Sequence, residues 1–224
     1  MPGDQPELEV IIPAGPGERA WKALVAVLPR HWMICISAVE SRPPDLPDCL
    51  TWQQGPPGRG AQLNLAANAS RARWLWFIHA DCMPSEEAIE NIEKLSESDE
   101  ECLAYLDLGF LEDGPGLTVL NGWGANLRSR ILKLPYGDQG LCLPRLWFQK
   151  LGGFRTDLRR GEDLDFVVRA RAEGLPLRRV PARMMTSARR YQDQGWLKTS
   201  WRHQINAWQL VRSAKARAKS NAHQ

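Results

Sequence analysis

Residues 74–80, Trp-Leu-Trp-Phe-Ile-His-Ala, make the most continuous apolar run in the chain, and the run stops at Asp81. A strand with no polar face must be covered on both sides. That requirement belongs to parallel or mostly parallel sheets flanked by helices, not to an antiparallel sheet with one wet face. It also places His79 and Asp81 at the C-terminal edge of a central strand, where open α/β sheets bind their ligands.

The remaining sequence repeats this alternation of apolar runs with amphipathic stretches. Leu8–Ala14 reads as a first strand ended by Gly15-Pro16-Gly17, and 18–28 as a helix with Trp21, Leu24, Val25 and Leu28 on one face. Residues 33–39 and 50–53 read as strands, separated by a loop in which Pro43, Pro44 and Pro47 exclude regular structure. A turn-rich break at 55–60 precedes a helix over 61–70. Ser85 is a good N-cap for a helix to about residue 95, because its hydroxyl accepts from unpaired N–H groups while Glu86 and Glu87 suit the positive helix end. Residues 102–110 read as a strand, 117–132 as a helix and 140–143 as a short extended piece. A helix over 163–172, closed by Gly174, and a last strand over 178–185 complete the pattern. The expected fold class is α/β: one domain over 1–195 with a mostly parallel central sheet flanked by helices, then a basic, Trp-rich C-terminal segment over 196–224.

Composition adds limits. A chain of 224 residues can bury a core without disulfides or a structural metal. Its net charge of +3, with both signs interleaved, is no footprint for nucleic acid. Cys35, Cys49, Cys82, Cys102 and Cys142 stand apart with no C-x-x-C pair, which fits thiols in a reducing compartment. The start, Met1-Pro2-Gly3-Asp4, has no signal-peptide pattern, and no window nears the roughly 18 apolar residues of a membrane span. A cytoplasmic protein is expected, able to touch the inner face of the membrane.

Several residues carry chemistry. Asp81, with His79 two positions before it, can hold a hard divalent cation together with phosphate oxygens; equally, Asp81 can cap the turn before Pro84 and His79 can be a satisfied core histidine. Glu162-Asp163 offers a general base or a helix N-cap. Pro135-Tyr136-Gly137-Asp138-Gln139-Gly140 reads as a turn displaying Asp138 and Gln139. Arg189 and Arg190 match phosphate geometry or form a solvated basic patch.

Taken in order, these segments resemble glycosyltransferase family 2, which has the GT-A fold. Leu8–Ala14 is similar to the family's first strand, Gly58-Arg59-Gly60-Ala61-Gln62-Leu63-Asn64 to the segment entering its second helix, and the stretch ending at Asp81 to its D-x-D region. Leu151-Gly152-Gly153-Phe154 followed by Glu162-Asp163 resembles its G-G-F … E-D pairing. The likeness is closer to a bacterial subgroup with H-A-D, G-A-N-L-R-S-R, P-Y-G-D-Q-G and T-S-A-R-R, associated with sugar conjugates including arsenosugar-type pathways. These motifs stand here at 79–81, 124–130, 135–140 and 186–190.

The resemblance implies transfer of a sugar from a nucleotide-diphosphate sugar to a hydroxyl acceptor, small or lipid-linked, with inversion. It implies Mn²⁺ or Mg²⁺ held by Asp81, with His79, in place of the first aspartate, as second ligand or as a donor to the sugar or ribose. Asp163 is then the general base, with Glu162 beside it. The donor would be met by Pro13, Glu18, Glu40, Arg59, Gln62, Asn64, His79, Asp138, Gln139, Arg189 and Arg190.

Two departures fall in the nucleotide half. Where the family has a V-D-G-G-S-like turn, this chain has Ile36-Ser37-Ala38-Val39-Glu40-Ser41, with Glu40 as the substitute acid. The P-x-x-N-E-like turn is Pro13-Ala14-Gly15-Pro16-Gly17-Glu18. Altered nucleotide choice, weakened donor binding, or a non-catalytic homologue acting as a binding module would each follow. A sugar-nucleotidyltransferase shares the layout, but would want a basic Gly-rich loop where Glu18 here opposes Arg19. In the tail, Leu197, Trp201, Ile205, Trp208 and Val211 recur at helical spacing among Lys198, Arg202, Arg212, Lys215, Arg217 and Lys219. Such an amphipathic helix serves as a peripheral membrane contact or packs on the catalytic domain.

Overall fold

The computed structural model describes residues 6–111, 118–158 and 160–187. Along the chain run β1 (Leu8–Ala14), α1 (Trp21–Val27), β2 (Met33–Ala38), β3 (Leu50–Gln54), α2 (Arg59–Ala69), β4 (Trp74–Phe77), β5 (Cys82–Pro84) and α3 (Glu86–Ser96). There follow β6 (Leu103–Phe110), α4 (Thr118–Ile131), a 3-10 turn (Gly137–Gln139), β7 (Cys142–Pro144), α5 (Arg145–Lys150), α6 (Glu162–Ala172) and β8 (Leu177–Thr186).

One sheet holds all eight strands in the order β3-β2-β1-β4-β7-β6-β8-β5. β1 pairs parallel with β2 and β4, β2 with β3, and β6 with β8. Only β7, antiparallel to β4 and β6, and β5, antiparallel to β8, run the other way. The sheet is therefore mostly parallel, as its apolar strands require. The chain steps outward from β1 through β2 to β3, then returns to lay β4 on the other flank of β1. At such a reversal, outside the carboxyl ends of the strands, open α/β sheets bind their ligands.

Both faces are buried. One carries Val10, Ile12, Trp74, Trp76 and Ile78 under Leu24 of α1 and Ile92 of α3. The other carries Ile11, Leu75 and Phe77 under Leu63 of α2, Phe148 of α5 and Phe166 of α6. Phe77 meets Phe148 and Phe154 with ring centroids 5.2 and 5.1 Å apart, and Phe154 meets Phe166 at 4.8 Å. This aromatic cluster ties the central strand to the Gly-Gly-Phe turn.

Ser85 caps α3 as expected, its hydroxyl accepting from Ala88 N at 3.2 Å. Several boundaries differ from the sequence reading. β4 ends at Phe77, not at residue 80: its last partners are Ile11 of β1 and, on the other side, Leu141 O, which accepts from Phe77 N at 2.8 Å. Ile78 N then bonds Ile11 O, and His79 O accepts from Cys82 N to close a turn around Asp81. α1 starts at Trp21 instead of residue 18, since the Glu18 carboxylate accepts from Arg19 N and Ala20 N at 2.8 and 2.7 Å and holds that stretch ahead of the helix. The short β5 and α5 were not expected at all. Among the described residues no helix is long and apolar enough to cross a membrane. The boundary at 195, Arg189, Arg190 and the whole C-terminal segment lie outside the described residues.

Candidate active site

At the carboxyl edge of β1 and β4, the motif residues are bonded to one another. Arg59, at the start of α2, donates through Nε to Glu162 Oε1 at 2.5 Å. Asn64, one and a half turns further, donates Nδ2–H to Phe154 O at 2.7 Å and accepts from Phe154 N at 2.8 Å. Gly152 and Gly153 take φ of 72° and 70° to bring Phe154 there, a conformation that favours glycine. The amide of Gln62 donates to Ala14 O and Ser37 O at 2.8 and 3.1 Å, locking the ends of β1 and β2 together. Asp163, in the first turn of α6, accepts from Gly137 N at 2.6 Å through Oδ2 and from Leu164 N at 2.8 Å through Oδ1. Four segments far apart in sequence thus close one rim.

Asp81 and His79 stand half-buried in the turn after β4. The turn is tied to the end of β8, where Ser187 N donates to Asp81 O at 3.3 Å. The ligating atoms of His79, Asp81 and Cys82 lie within 4.8 Å of one another. Cys82 is the odd member. It is buried in the core, its thiol faces Asp138 O at 3.9 Å, and burial, helped by the Asp81 and Asp138 charges, pushes its pKa up beyond the ordinary thiol range. The imidazole and the carboxylate remain as the accessible pair, a donor set that fits Mn²⁺ or Mg²⁺ completed by phosphate oxygens.

Gly137 sits between His79 and the base candidate, Asp163. A Cβ there would lie 2.9 Å from His79 Nε2 and 3.0 Å from Asp163 Oδ2. Asp138 follows it with Oδ1 sealed from solvent and unpartnered. Burial pushes its carboxyl up to about 6; Arg128 and Arg59 oppose this, and Asp163 and Asp81 add to it. Arg59 feels the same carboxylates: burial works against its charge, but Asp163, Glu162 and Asp138 outweigh it and raise its pKa.

Linkage gives Asp138 a measurable consequence. Its folded-state pKa lies above the unfolded value, so the native state binds the proton more tightly. Native stability is then lost as pH rises between about 4 and 6. Asp138→Asn should remove that loss, gaining on the order of 2 kcal/mol over the native chain at pH 7 and nearly nothing near pH 4. Urea titrations at a series of pH values check it; a pH-independent difference would contradict the assignment.

The other expected donor contacts are placed less directly. Pro13 is buried inside β1, opposite Ser37 of β2. Glu40 accepts from Gly17 N and from Arg19 Nη1, each at 2.9 Å, which lowers its pKa. It therefore braces the loop after β1. Glu18 is spent on the N–H groups ahead of α1. Gln62, Asn64 and Gln139 commit their amides to scaffolding. Gln139 is fully buried, donating to Leu106 O at 2.9 Å and accepting from Ser129 Oγ and Tyr136 N. The structure brings Arg59, His79, Asp81, Asp138, Glu162 and Asp163 to one rim.

Sequence reasoning missed the supporting residues. β7 pairs with β6 only at Ala104, and among the described residues no strand pairs with that edge of β6 beyond it. The amides of Gln139, at Leu106 O, and Asn126, at Leu108 N and O, continue the ladder in its place. Arg128 lies 3.6 Å over the Tyr136 ring. Asn126 and Arg128 belong to the 124–130 motif and Gln139 and Tyr136 to the 135–140 one, which was the available signal, but it says nothing of what they touch.

No protein-family model matches the sequence, and no curated protein matches it. Solved structures do share its fold. S. aureus TarS 1–349 superposes with a TM-score of 0.61 at 13% identity, over 80% of this chain and 60% of that one. Its complex with UDP-GlcNAc gives 0.61 at 14% identity, over 80% and 58%. The mannosyltransferase PcManGT from Pyrobaculum calidifontis, in complex with GDP-Man and Mn²⁺, gives 0.57 at 14%, over 82% and 57%. The chain has the GT-A-like fold of these glycosyltransferases, and spans 60% or less of the length of each.

Proposed function

We propose that this chain is a glycosyltransferase that moves a sugar from a nucleoside-diphosphate sugar to a hydroxyl acceptor, small or lipid-linked. The observation that carries this reading is the approach of His79, which neighbours Asp81 in the turn after β4, and Asp163 on the two sides of Gly137 at the topological switch point. The neighbours' bound UDP-GlcNAc and GDP-Man with Mn²⁺ support it.

Asp163 acts as general base. Two backbone N–H groups hold its carboxylate, and each oxygen keeps a lone pair to receive the acceptor's proton. The deprotonated oxygen forms its bond to the anomeric carbon as the bond to the diphosphate breaks, leaving the nucleoside diphosphate with the electron pair. Asp81 and His79 would hold Mn²⁺ or Mg²⁺, which supplies positive charge against that leaving group. Glu162 is committed to Arg59 and orients it as a positioning residue. Hexosyl transfer with inversion and membership of glycosyltransferase family 2 belong to the same reading.

Thermal denaturation with Mn²⁺ and a panel of nucleoside diphosphates tests it. A matching diphosphate at about 100 times its Kd should raise Tm by about 5 °C or more, and Asp81→Ala should abolish the shift. No response to UDP, GDP, dTDP, CDP or ADP sinks the proposal. Stabilisation without turnover on the corresponding sugar donors would leave the binding-module reading in its place.

A further inference from the structure

Among the described residues nothing covers the apolar outer face of α4. Trp123, Leu127 and Ile131, at successive steps of four, are 67%, 39% and 66% exposed, and Leu132 beyond them is 51% exposed. The helix is not merely turned the wrong way. Its inner face is fixed by Asn126 on Leu108, by Ser129 on Gln139 and by Gly122, where a Cβ would lie 3.3 Å from Leu108 O. Single exposed apolar residues are ordinary on a protein surface, but a continuous strip that includes a tryptophan marks a contact.

We propose that this strip seats the chain's own C-terminal segment, residues 197–211. The segment's sequence carries a matching stripe, Leu197, Trp201, Ile205, Trp208 and Val211. As a helix that stripe is about 21 Å long, enough to cover the strip from Trp123 to Leu132, which runs about 14 Å along α4. The chain also leaves the described residues at the right place. Leu111 N donates to Thr186 O, so the exit at Ser187 lies beside the strand end that leads into α4. The ten residues from Ser187 to Leu197 reach up to about 33 Å, more than the roughly 21 Å length of α4. Tethered that closely, the stripe meets α4 at an effective concentration in the millimolar range.

Charge permits the contact. The segment has no acidic residue after Asp193, so bare cations on α4 would oppose it. Arg130 is paired with Asp107 at 2.8 Å and Arg128 is stacked over Tyr136, which turns both toward the domain. A tail helix can lay its apolar stripe on the strip and keep its lysines and arginines in water.

Hydrogen exchange on the full chain, without lipid and at low concentration, tests this. Amides of 197–211 should exchange about tenfold or more slowly than those of 213–224. Trp123→Asp with Ile131→Asp should erase that protection while β1 and β4 stay slow. Should the double variant loosen the whole domain, Trp201→Asp with Trp208→Asp leaves the domain untouched and must speed exchange in α4. Three results overturn the proposal: fast exchange throughout 197–211; protection only after adding vesicles of phosphatidylcholine and phosphatidylglycerol, which makes the strip a membrane contact; or protection that grows with protein concentration alongside a dimer, which makes it an interface between copies.

Discussion

Asp163→Asn should leave the chain folded and lower turnover by about 10²–10⁴-fold, the range for removing a positioned general base. The side chain is nearly isosteric, so the aromatic cluster behind α6 keeps its packing. What changes is proton affinity and one hydrogen bond. The carboxylate accepts from both Gly137 N and Leu164 N, whereas an amide offers one acceptor oxygen and turns its NH₂ toward the second N–H. That mismatch costs about 1–2 kcal/mol of stability. The measurement is release of nucleoside diphosphate from the donor whose diphosphate stabilises the chain, with Tm recorded in parallel. Native turnover in the variant would remove Asp163 from the mechanism. A loss of activity that tracks only a fall in Tm would make it a structural residue.

Gly137→Ala adds one methyl group and should cost nearly as much, about 10²-fold or more in turnover. Gly137 is not in the left-handed region, so alanine meets no backbone penalty there. The conflict is with the site: the new Cβ falls 2.9 Å from His79 Nε2, 3.0 Å from Asp163 Oδ2 and 3.3 Å from Asp163 Cβ. Asp163 cannot recede without losing the Gly137 N–H that fixes it. The 3-10 turn must therefore back away, separating the base from the imidazole. Overpacking of this size costs about 1–3 kcal/mol, so the variant stays folded and its defect is kinetic. If kcat is unchanged, His79 and Asp163 do not act together.

The two substitutions probe a site only partly legible in the sequence. Asp81 and His79 are marked by the apolar run that ends at them, but their weight, and that of the Glu162-Asp163 pair, comes from the ordered resemblance to the family's motifs. The roles of the amides were not. Gln62, Asn64 and Gln139 stand in motif positions, and a polar side chain in a motif reads as a ligand contact. Their partners lie 48, 90 and 33 residues away, at Ala14, Phe154 and Leu106, so no local pattern could announce them. The same holds for β5 and α5. Three residues ending in proline and six residues of mixed character are too short to show a period of two or 3.6.

By itself, the sequence determined the layering. Continuous apolar runs have to be covered on both faces, so a mostly parallel sheet with helices on each side follows from hydrophobic burial alone, and with it the edge at which Asp81 appears. Only the tertiary structure decided what Asp81 meets there. Strand order is set by long-range pairing, not by any local preference. That pairing returns β4 to the flank of β1, brings the 3-10 turn against α6, and leaves Gly137 as the narrow gap between His79 and Asp163.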